Sequence, residues 1–196
     1  MSSHRLTPFS YTVLALVGRG GAGPHDLAGM MRKQGGLYWS AAESQWYAEP
    51  KRLERLGYLR SRKEPGRTTE RTHYERTPSG LAALRAWVAE PTPLPRIQNE
   101  AVVRVLAGDL ADEAALLHSL AALRQEIAAQ RARFDAAAEE AKTLPHRERR
   151  LRLVHRLGRA LLDVHDAWLD DVEAELVPAA GSSETGSRGR GARPVR

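Results

Sequence analysis

The chain has 196 residues, no cysteine and a net charge of +6, which allows one large or two small domains. Few aromatic residues and abundant alanine, leucine and arginine favour helix over sheet. The missing cysteines exclude disulfides and thiolate zinc sites, and the lack of a long apolar run or signal-peptide pattern predicts a cytoplasmic protein without a membrane span.

The first two predicted helices are short. Thr7-Pro8 provides a cap and first-turn proline for one helix, which ends at Gly18, and Pro24 opens another that ends near Gly35-Gly36. The buried side of the second helix is predicted to carry Leu27, Met30 and Met31. The intervening glycines fit the GxGxxG pattern of dinucleotide sites, but no βαβ unit follows, so a flexible connection is the preferred interpretation.

A third helix, a hairpin and a fourth helix follow. Ser40 or Ser44 is the predicted cap of the third helix, which stops at Gly57. Strands from Tyr58 and over residues 72–76 are joined by a turn at residues 64–66. Thr77-Pro78 starts the fourth helix, whose predicted apolar residues are Leu81, Leu84, Trp87 and Val88.

Polar and basic groups are concentrated in this helix and hairpin. Gln45 suits an adenine edge, while serine and tyrosine hydroxyls suit phosphate oxygens. Each feature alone fits an ordinary solvated surface, but a helix followed directly by a basic hairpin is typical of a DNA reader. The basic residues of the hairpin are Arg60, Arg62, Lys63, Arg67, Arg71 and Arg76.

The predicted domains are a winged helix-turn-helix at residues 1–89, a proline-rich linker at 90–95, a helical dimerisation domain at 96–177 and a disordered basic tail at 178–196. The fold class is mainly α with a small β-wing. Two long antiparallel helices, broken at Leu144-Pro145-His146, carry apolar stripes that one chain is expected to bury poorly, which favours a homodimer. The predicted dimerisation residues are Leu116, Leu120, Leu123, Ile127, Leu157, Leu161, Val164, Trp168 and Val172.

No other motif predicts chemistry. The seven histidines show no metal-ligand spacing, and no nucleophile, carboxylate pair or P-loop pattern is present, so no enzyme, cofactor or metal is expected. His165 is interpreted as an interface histidine, although a cavity position fits too. Arg188 and Arg190 suit nonspecific polyanion contacts, but a disordered end is the preferred interpretation.

The run from Ser44 to Leu59, followed by Thr72–Gly80, resembles the PadR-like transcriptional regulators. The matching positions are Gln45, Tyr47, Leu53-Glu54, Gly57-Tyr58-Leu59, Tyr74, Thr77 and Gly80. The resemblance implies a dimeric regulator, commonly a repressor, whose third helix enters the major groove of a palindromic operator while the wing touches the backbone. In some members a small-molecule effector bound near the dimer interface alters DNA affinity.

Three positions depart from the family pattern. Pro50 removes a hydrogen bond inside the reading helix, and Arg76 replaces an apolar strand residue. His25-Asp26 replaces a Gly-Tyr pair, so the contact of that tyrosine cannot be carried over. The predicted DNA-binding residues are Ser40, Ser44, Gln45, Tyr47, Lys51, Arg67 and Arg71. The alternative function is a protein-binding adaptor that uses the winged helix as a scaffold and the helical half as a docking surface.

Overall fold

The computed structural model describes residues 6–34, 37–39, 41–65 and 70–177, without the side chains of residues 33 and 34. Its contacts divide the chain into two compact units. The first unit is Met1–Gln98 with Ala128–Leu161, and the second is Asn99–Ile127 with Leu162–Arg196. The sequence prediction had assigned all of residues 96–177 to one domain, whereas residues 128–161 pack with the N-terminal segment.

The first unit contains α1 (Pro8–Val17), α2 (Pro24–Gln34), α3 (Glu43–Arg55), the strands β1 (Leu59–Glu64) and β2 (Arg71–Arg76), and α4 (Pro78–Val88). The predicted starts of α1 and α4 agree with the structure, because Thr7 and Thr77 accept hydrogen bonds from the backbone amides of Ser10 and Gly80. Such caps satisfy amides that a helix leaves free at its first turn.

The cap of α3 was predicted wrongly. Ala42 occupies the cap position without a side-chain hydrogen bond, and Ser44 lies inside the helix. Met30, predicted to lie on the buried side of α2, is also exposed and retains 36% of its accessible surface. Leu27, by contrast, is fully buried.

The glycine-rich connection between α1 and α2 is ordered by the hairpin, so its interpretation as merely flexible is wrong. Ala22 exchanges two backbone hydrogen bonds of 3.0 Å with Tyr74 of β2. Gly21 has φ +81°, and a Cβ at this position would overlap the side chain of His73. Its lack of a side chain therefore allows the loop to approach the strand.

The core of the first unit lies between α1, α2, α3, α4 and the inner face of the hairpin. Its buried residues include Val13, Leu14, Leu27, Trp46, Leu53, Leu59, Tyr74 and Leu84. Tyr11 on α1 stacks on Trp87 of α4, with ring centroids 4.7 Å apart. These contacts fix α3 and the hairpin in one body.

Parts of two long helices complete the first unit. These are α6 (Glu113–Lys142) and α7 (Pro145–Leu176), whose boundary agrees with the predicted break. The Tyr38 hydroxyl donates a 2.7 Å hydrogen bond to the Val154 carbonyl, and Arg147 donates one of 2.8 Å to the Ala15 carbonyl. The segment 128–161 is thereby attached to α1 and to the loop before α3.

The second unit contains α5 (Glu100–Leu106), a short 3-10 helix (Gly108–Leu110) and the remaining parts of α6 and α7. Within it, Arg124 of α6 bridges Asp166, Asp170 and Glu173 of α7 at 2.6–3.1 Å. Leu116, Leu120, Ile127, Leu162, Leu169 and Val172 are its buried apolar residues. Among the described helices of both units, none is long and apolar enough to cross a membrane.

Candidate nucleic-acid interface

Helix α3 is anchored by one face. Trp46, Pro50 and Leu53 are buried, and their spacing of four and three residues places them on one side of the helix. Pro50 cannot donate to the Trp46 carbonyl, yet the helix continues from Glu43 to Arg55. The proline ring lies in the core, on the face opposite the candidate contact residues.

The exposed sides of α3 carry the predicted contact residues. Ser44, Gln45, Tyr47 and Lys51 are all exposed. Ser44, Tyr47 and Lys51 are three and four residues apart and so share one stripe, whereas Gln45 is exposed in the first turn on the side of the helix that also carries Glu49 and Arg52. Gln45 precedes Pro50, so the missing hydrogen bond falls after the residue proposed to read a base.

Sequence reasoning missed Arg55. It is exposed in the last turn of α3, four residues after Lys51 and on the same stripe. The helical period applied to Lys51 would have identified it. A guanidinium here extends the positive charge of the exposed face towards the hairpin entry.

A polar network holds α3 against α1. The buried Ser10 hydroxyl donates a 2.6 Å hydrogen bond to Glu49 Oε1, and Arg52 Nη1 donates one of 2.8 Å to the same oxygen. The side chain of Arg52 is therefore held on the side of α3 that faces α1. Lys51, its neighbour, points its exposed side chain away from this network.

The hairpin neutralises much of its own charge. Glu75 accepts hydrogen bonds from Arg60 and Arg62, which lower the pKa of its carboxyl. Arg71 lies 3.3 Å from Glu64, which also pairs with Arg62 at 2.7 Å. The net field of the hairpin is therefore weaker than its six basic residues suggest, although Arg71 remains 60% exposed and accessible to a phosphate.

Strand register separates the two ends of the hairpin. Glu64 pairs with Arg71 next to the turn, whereas Leu59 pairs with Arg76 at the base. Leu59, Tyr74 and Arg76 share the inward face, because directly opposed residues and alternate residues lie on one side of a sheet. Arg76 thus lies at the end of a core-facing row, about 17 Å along the strand from the turn.

Two predicted contact residues, Ser40 and Arg67, lie outside the described residues, as do Arg188 and Arg190 of the tail. The described contact residues Ser44, Gln45, Tyr47 and Lys51 belong to one helix, and Arg71 belongs to the hairpin that follows it. Their roles in DNA binding stay predictions.

The predicted dimerisation residues divide into two groups. Leu116, Leu120, Ile127 and Val172 are buried within a single chain, so the expectation that these residues need a second copy for burial is wrong. Leu157 and Val164 are 55% and 66% exposed, and Leu123, Leu161 and Trp168 are partly buried. Only the exposed residues are free to contact a partner without unpacking the chain.

The sequence did not predict α5 as a separate helix. In the structure this helix adds an exposed apolar surface. Val102, Val103, Leu106 and Leu110 are 50–84% exposed on α5 and the following 3-10 turn. Asn99 caps α5 and places its amide nitrogen 3.0 Å from His165 Nε2. The histidine therefore has a partner in its own chain.

No family model matches the chain. Among curated proteins, the negative transcriptional regulator PadR of Bacillus subtilis (strain 168) is 31% identical over 86 residues, which are 43% of this chain and 47% of the relative. The matched part thus spans about half the length of that protein.

Solved structures match over more of the chain. Bacillus subtilis PadR in complex with operator DNA has a TM-score of 0.72 and 20% identity, covering 88% of this chain and 99% of PadR. A PadR-like regulator from Bacillus cereus has a TM-score of 0.72 and 14% identity, covering 90% and 99%. PadR in complex with p-coumaric acid matches with a TM-score of 0.62 and 19% identity, covering 88% and 98%. The resemblance to PadR-like proteins is confirmed, and the chain has their winged-helix fold.

Proposed function

We propose that this chain, which has the PadR-like winged-helix fold, is a sequence-specific DNA-binding transcriptional regulator that acts as a repressor on a palindromic operator. The observation that carries the proposal is the exposed stripe of α3 formed by Ser44, Tyr47 and Lys51 away from its core anchors, with Gln45 also exposed in the first turn. One relative supports it by name: PadR of Bacillus subtilis is a negative transcriptional regulator and was crystallised with operator DNA.

The residues have distinct roles in this proposal. Gln45 and Ser44 read base edges in the major groove from the first turn of α3. Tyr47, Lys51, Arg55 and Arg71 contact phosphates, which fix the position of the helix but carry no sequence information. Arg67, which lies outside the described residues, is proposed as a further phosphate contact.

The active species is proposed to be a homodimer, because a palindromic operator requires two readers related by two-fold symmetry. Exposed apolar side chains of the second unit, Val103 and Leu106 on α5 and Val164 on α7, are proposed to supply the contact surface. Clusters of exposed apolar side chains mark interaction sites in globular proteins. A small-molecule effector is also proposed, by analogy with the relative crystallised with p-coumaric acid.

Selection from a pool of random duplexes tests the function directly. We expect the full chain to enrich a palindromic sequence and to bind it at least about 1,000-fold more tightly than unrelated duplex at the same salt concentration. Gln45→Ala should reduce this ratio by about 5- to 150-fold, corresponding to the loss of one bidentate base contact. Gln125→Ala, an exposed position on α6, is the matched control and should leave it unchanged.

Failure of the pool to yield any enriched sequence would overturn the proposal. The adaptor alternative would then gain support, because the apolar surface of α5 suits a protein partner as well as a second copy. An enriched sequence whose recognition is insensitive to Gln45→Ala would retain DNA binding but contradict the assigned base reader.

A further inference from the structure

Four arginines converge at the base of the hairpin, away from the candidate reading face. A cavity of about 190 Å³ is lined by Gly18, Arg19, Arg76, His146, Arg147 and Arg150. They come from three separate segments of the first unit: the α1–α2 connection, the end of β2 and the first turns of α7. No single stretch of sequence indicates this cluster.

No carboxylate lines this cavity. Within the described part of the chain, Arg19, Arg76 and Arg150 form no ion pair, whereas Arg60, Arg62, Arg71 and Arg124 all do. Glu75, the nearest acid lining an adjoining cavity, is already paired with Arg60 and Arg62. Among the described residues, these three arginines therefore lack the negative partner that Arg60, Arg62, Arg71 and Arg124 have.

The fold holds these like charges together. Arg147 is fixed by its hydrogen bond to the Ala15 carbonyl, and its guanidinium lies against Gly18. Burial, and then the charges of Arg147 and Arg19, lower the pKa of Arg76. Uncompensated like charges at short range destabilise a protein unless an anion neutralises them.

The position of the cluster argues against a DNA phosphate as its partner. Arg76 lies at the base of the hairpin, about 17 Å along β2 from the turn that a winged helix presents to DNA. The adjoining cavity of about 540 Å³ shares Gly18, Arg19 and Arg76 and extends to Thr77, Pro78 and Leu81. Together the two cavities offer a charged end and a partly apolar end.

We propose that the cavity between the α1–α2 connection, the base of the hairpin and the start of α7 binds a small anionic ligand through its phosphate or carboxylate group. Arginine is suited to either group because its planar guanidinium donates two parallel hydrogen bonds. A ligand there contacts the base of the hairpin, the end of α1 and α7 at once, so it is placed to alter how the hairpin meets DNA. That regulatory consequence rests on the proposed function, but ligand binding does not.

Thermal unfolding of the full chain tests the binding without DNA. Inorganic phosphate and malonate, titrated against chloride at constant ionic strength, should raise the melting temperature with saturation for at least one of the two anions. Arg76→Gln and Arg150→Gln should each raise the half-saturating concentration by roughly tenfold or more, as expected for a lost charge-assisted hydrogen bond. Arg149→Gln, in the same turn of α7 but outside the cavity lining, is the control with the same net charge.

Arg150→Gln keeps the test valid if Arg76→Gln fails to fold, because Arg150 makes no described structural hydrogen bond. The proposal is overturned if neither anion gives a saturable response, or if the response is the same in Arg150→Gln and Arg149→Gln. It is also overturned if both cavity variants weaken DNA binding and its salt dependence while anion binding is unchanged, because the cluster would then be a backbone contact. Loss of DNA enrichment with intact anion binding would refute only the proposed function.

Discussion

The buried hydroxyl of Ser10 donates a hydrogen bond of 2.6 Å to Glu49, which joins α1 to the helix proposed to read DNA. Glu49 also accepts from Arg52, so a single carboxylate serves two donors from two helices. Ser10 is fully buried and the Glu49 side chain is only 13% exposed. The orientation of α3 therefore depends on a polar contact as well as on Trp46 and Leu53.

Glu49→Ala should destabilise the chain. It removes the carboxylate that accepts from Ser10 at 2.6 Å and from Arg52 at 2.8 Å, and losing hydrogen bonds to a charged group costs about 1.5–3 kcal/mol of unfolding free energy. Urea unfolding would measure the change. Glu43→Ala is the matched control, because Glu43 makes only an exposed 3.4 Å pair with Arg32 and should cost about 0.5 kcal/mol or less. Equal effects of the two variants would contradict the structural role of Glu49.

Gly80→Ala should be among the most disruptive single-methyl changes. A Cβ at residue 80 would overlap the carbonyl oxygen of Tyr58, which is main chain and cannot turn aside. We expect a loss of about 1–3 kcal/mol, as for other overpacked sites. Gly29→Ala, in the interior of α2 with nothing within 4 Å of the new carbon, should instead stabilise by up to about 1 kcal/mol. Thermal melts of both variants would check the opposite signs.

Local signals predicted much of the fold. Thr7-Pro8 and Thr77-Pro78 mark helix starts through chemistry confined to one turn, and Pro145 marks the break between the long helices. The pairing of Ala22 with Tyr74 and the bond from Tyr38 to Val154 were not predictable, because they join residues far apart in sequence.

The candidate interface was predictable in the same uneven way. The helical period gave the exposed stripe of α3, and would have given Arg55 had it been followed for one more turn. Counting basic residues overestimated the net positive charge of the hairpin. The pairing of Arg60 and Arg62 with Glu75 depends on strand register, which the count does not include. The sequence showed that Arg76 replaces an apolar strand residue. It could not show that Arg19 and Arg147 line the same cavity, because they come from other segments.

His155 should make stability depend on pH. It is 1% exposed, packs against the ring of Phe134, and neither ring nitrogen has a hydrogen-bond partner within the described residues. Burial, and then the charge of Arg159, lower its pKa. Below the ordinary value of about 6.5 the unfolded chain binds a proton before the folded chain does, so unfolding free energy falls as the pH drops.

Urea unfolding between pH 7.5 and 5 would measure this effect. His155→Leu should flatten the pH dependence, because the unfolded chain no longer gains that proton. His118→Gln, exposed on α6, should leave the slope unchanged. A wild-type stability that stays constant or rises towards pH 5 would argue against a buried neutral histidine.

Dimerisation should depend on exposed apolar side chains of the second unit. Leu106→Glu and Val164→Glu place a charge on residues that are 81% and 66% exposed, so both variants should fold normally. If a partner covers these residues, self-association should weaken by tenfold or more, because burying an unpaired charge is costly. Sedimentation equilibrium over a concentration series would measure it. Val88→Glu, on α4 and 70% exposed, is the control. Indifference of both variants would place the dimer contact elsewhere or refute the dimer.

Lys51 and Arg52 are adjacent in sequence but should behave as opposites. Lys51 is exposed on the candidate reading stripe, whereas Arg52 is hydrogen-bonded to Glu49. Lys51→Gln should lower the slope of log K against log salt for operator binding by about one, without a change in stability, because one phosphate contact is lost. Arg52→Gln should lower stability by about 1–2 kcal/mol and change the salt slope little. Anisotropy titrations at four or more salt concentrations, paired with urea melts, separate the two effects. If instead Arg52→Gln changed the salt slope and Lys51→Gln lowered stability, α3 would present a different face to DNA.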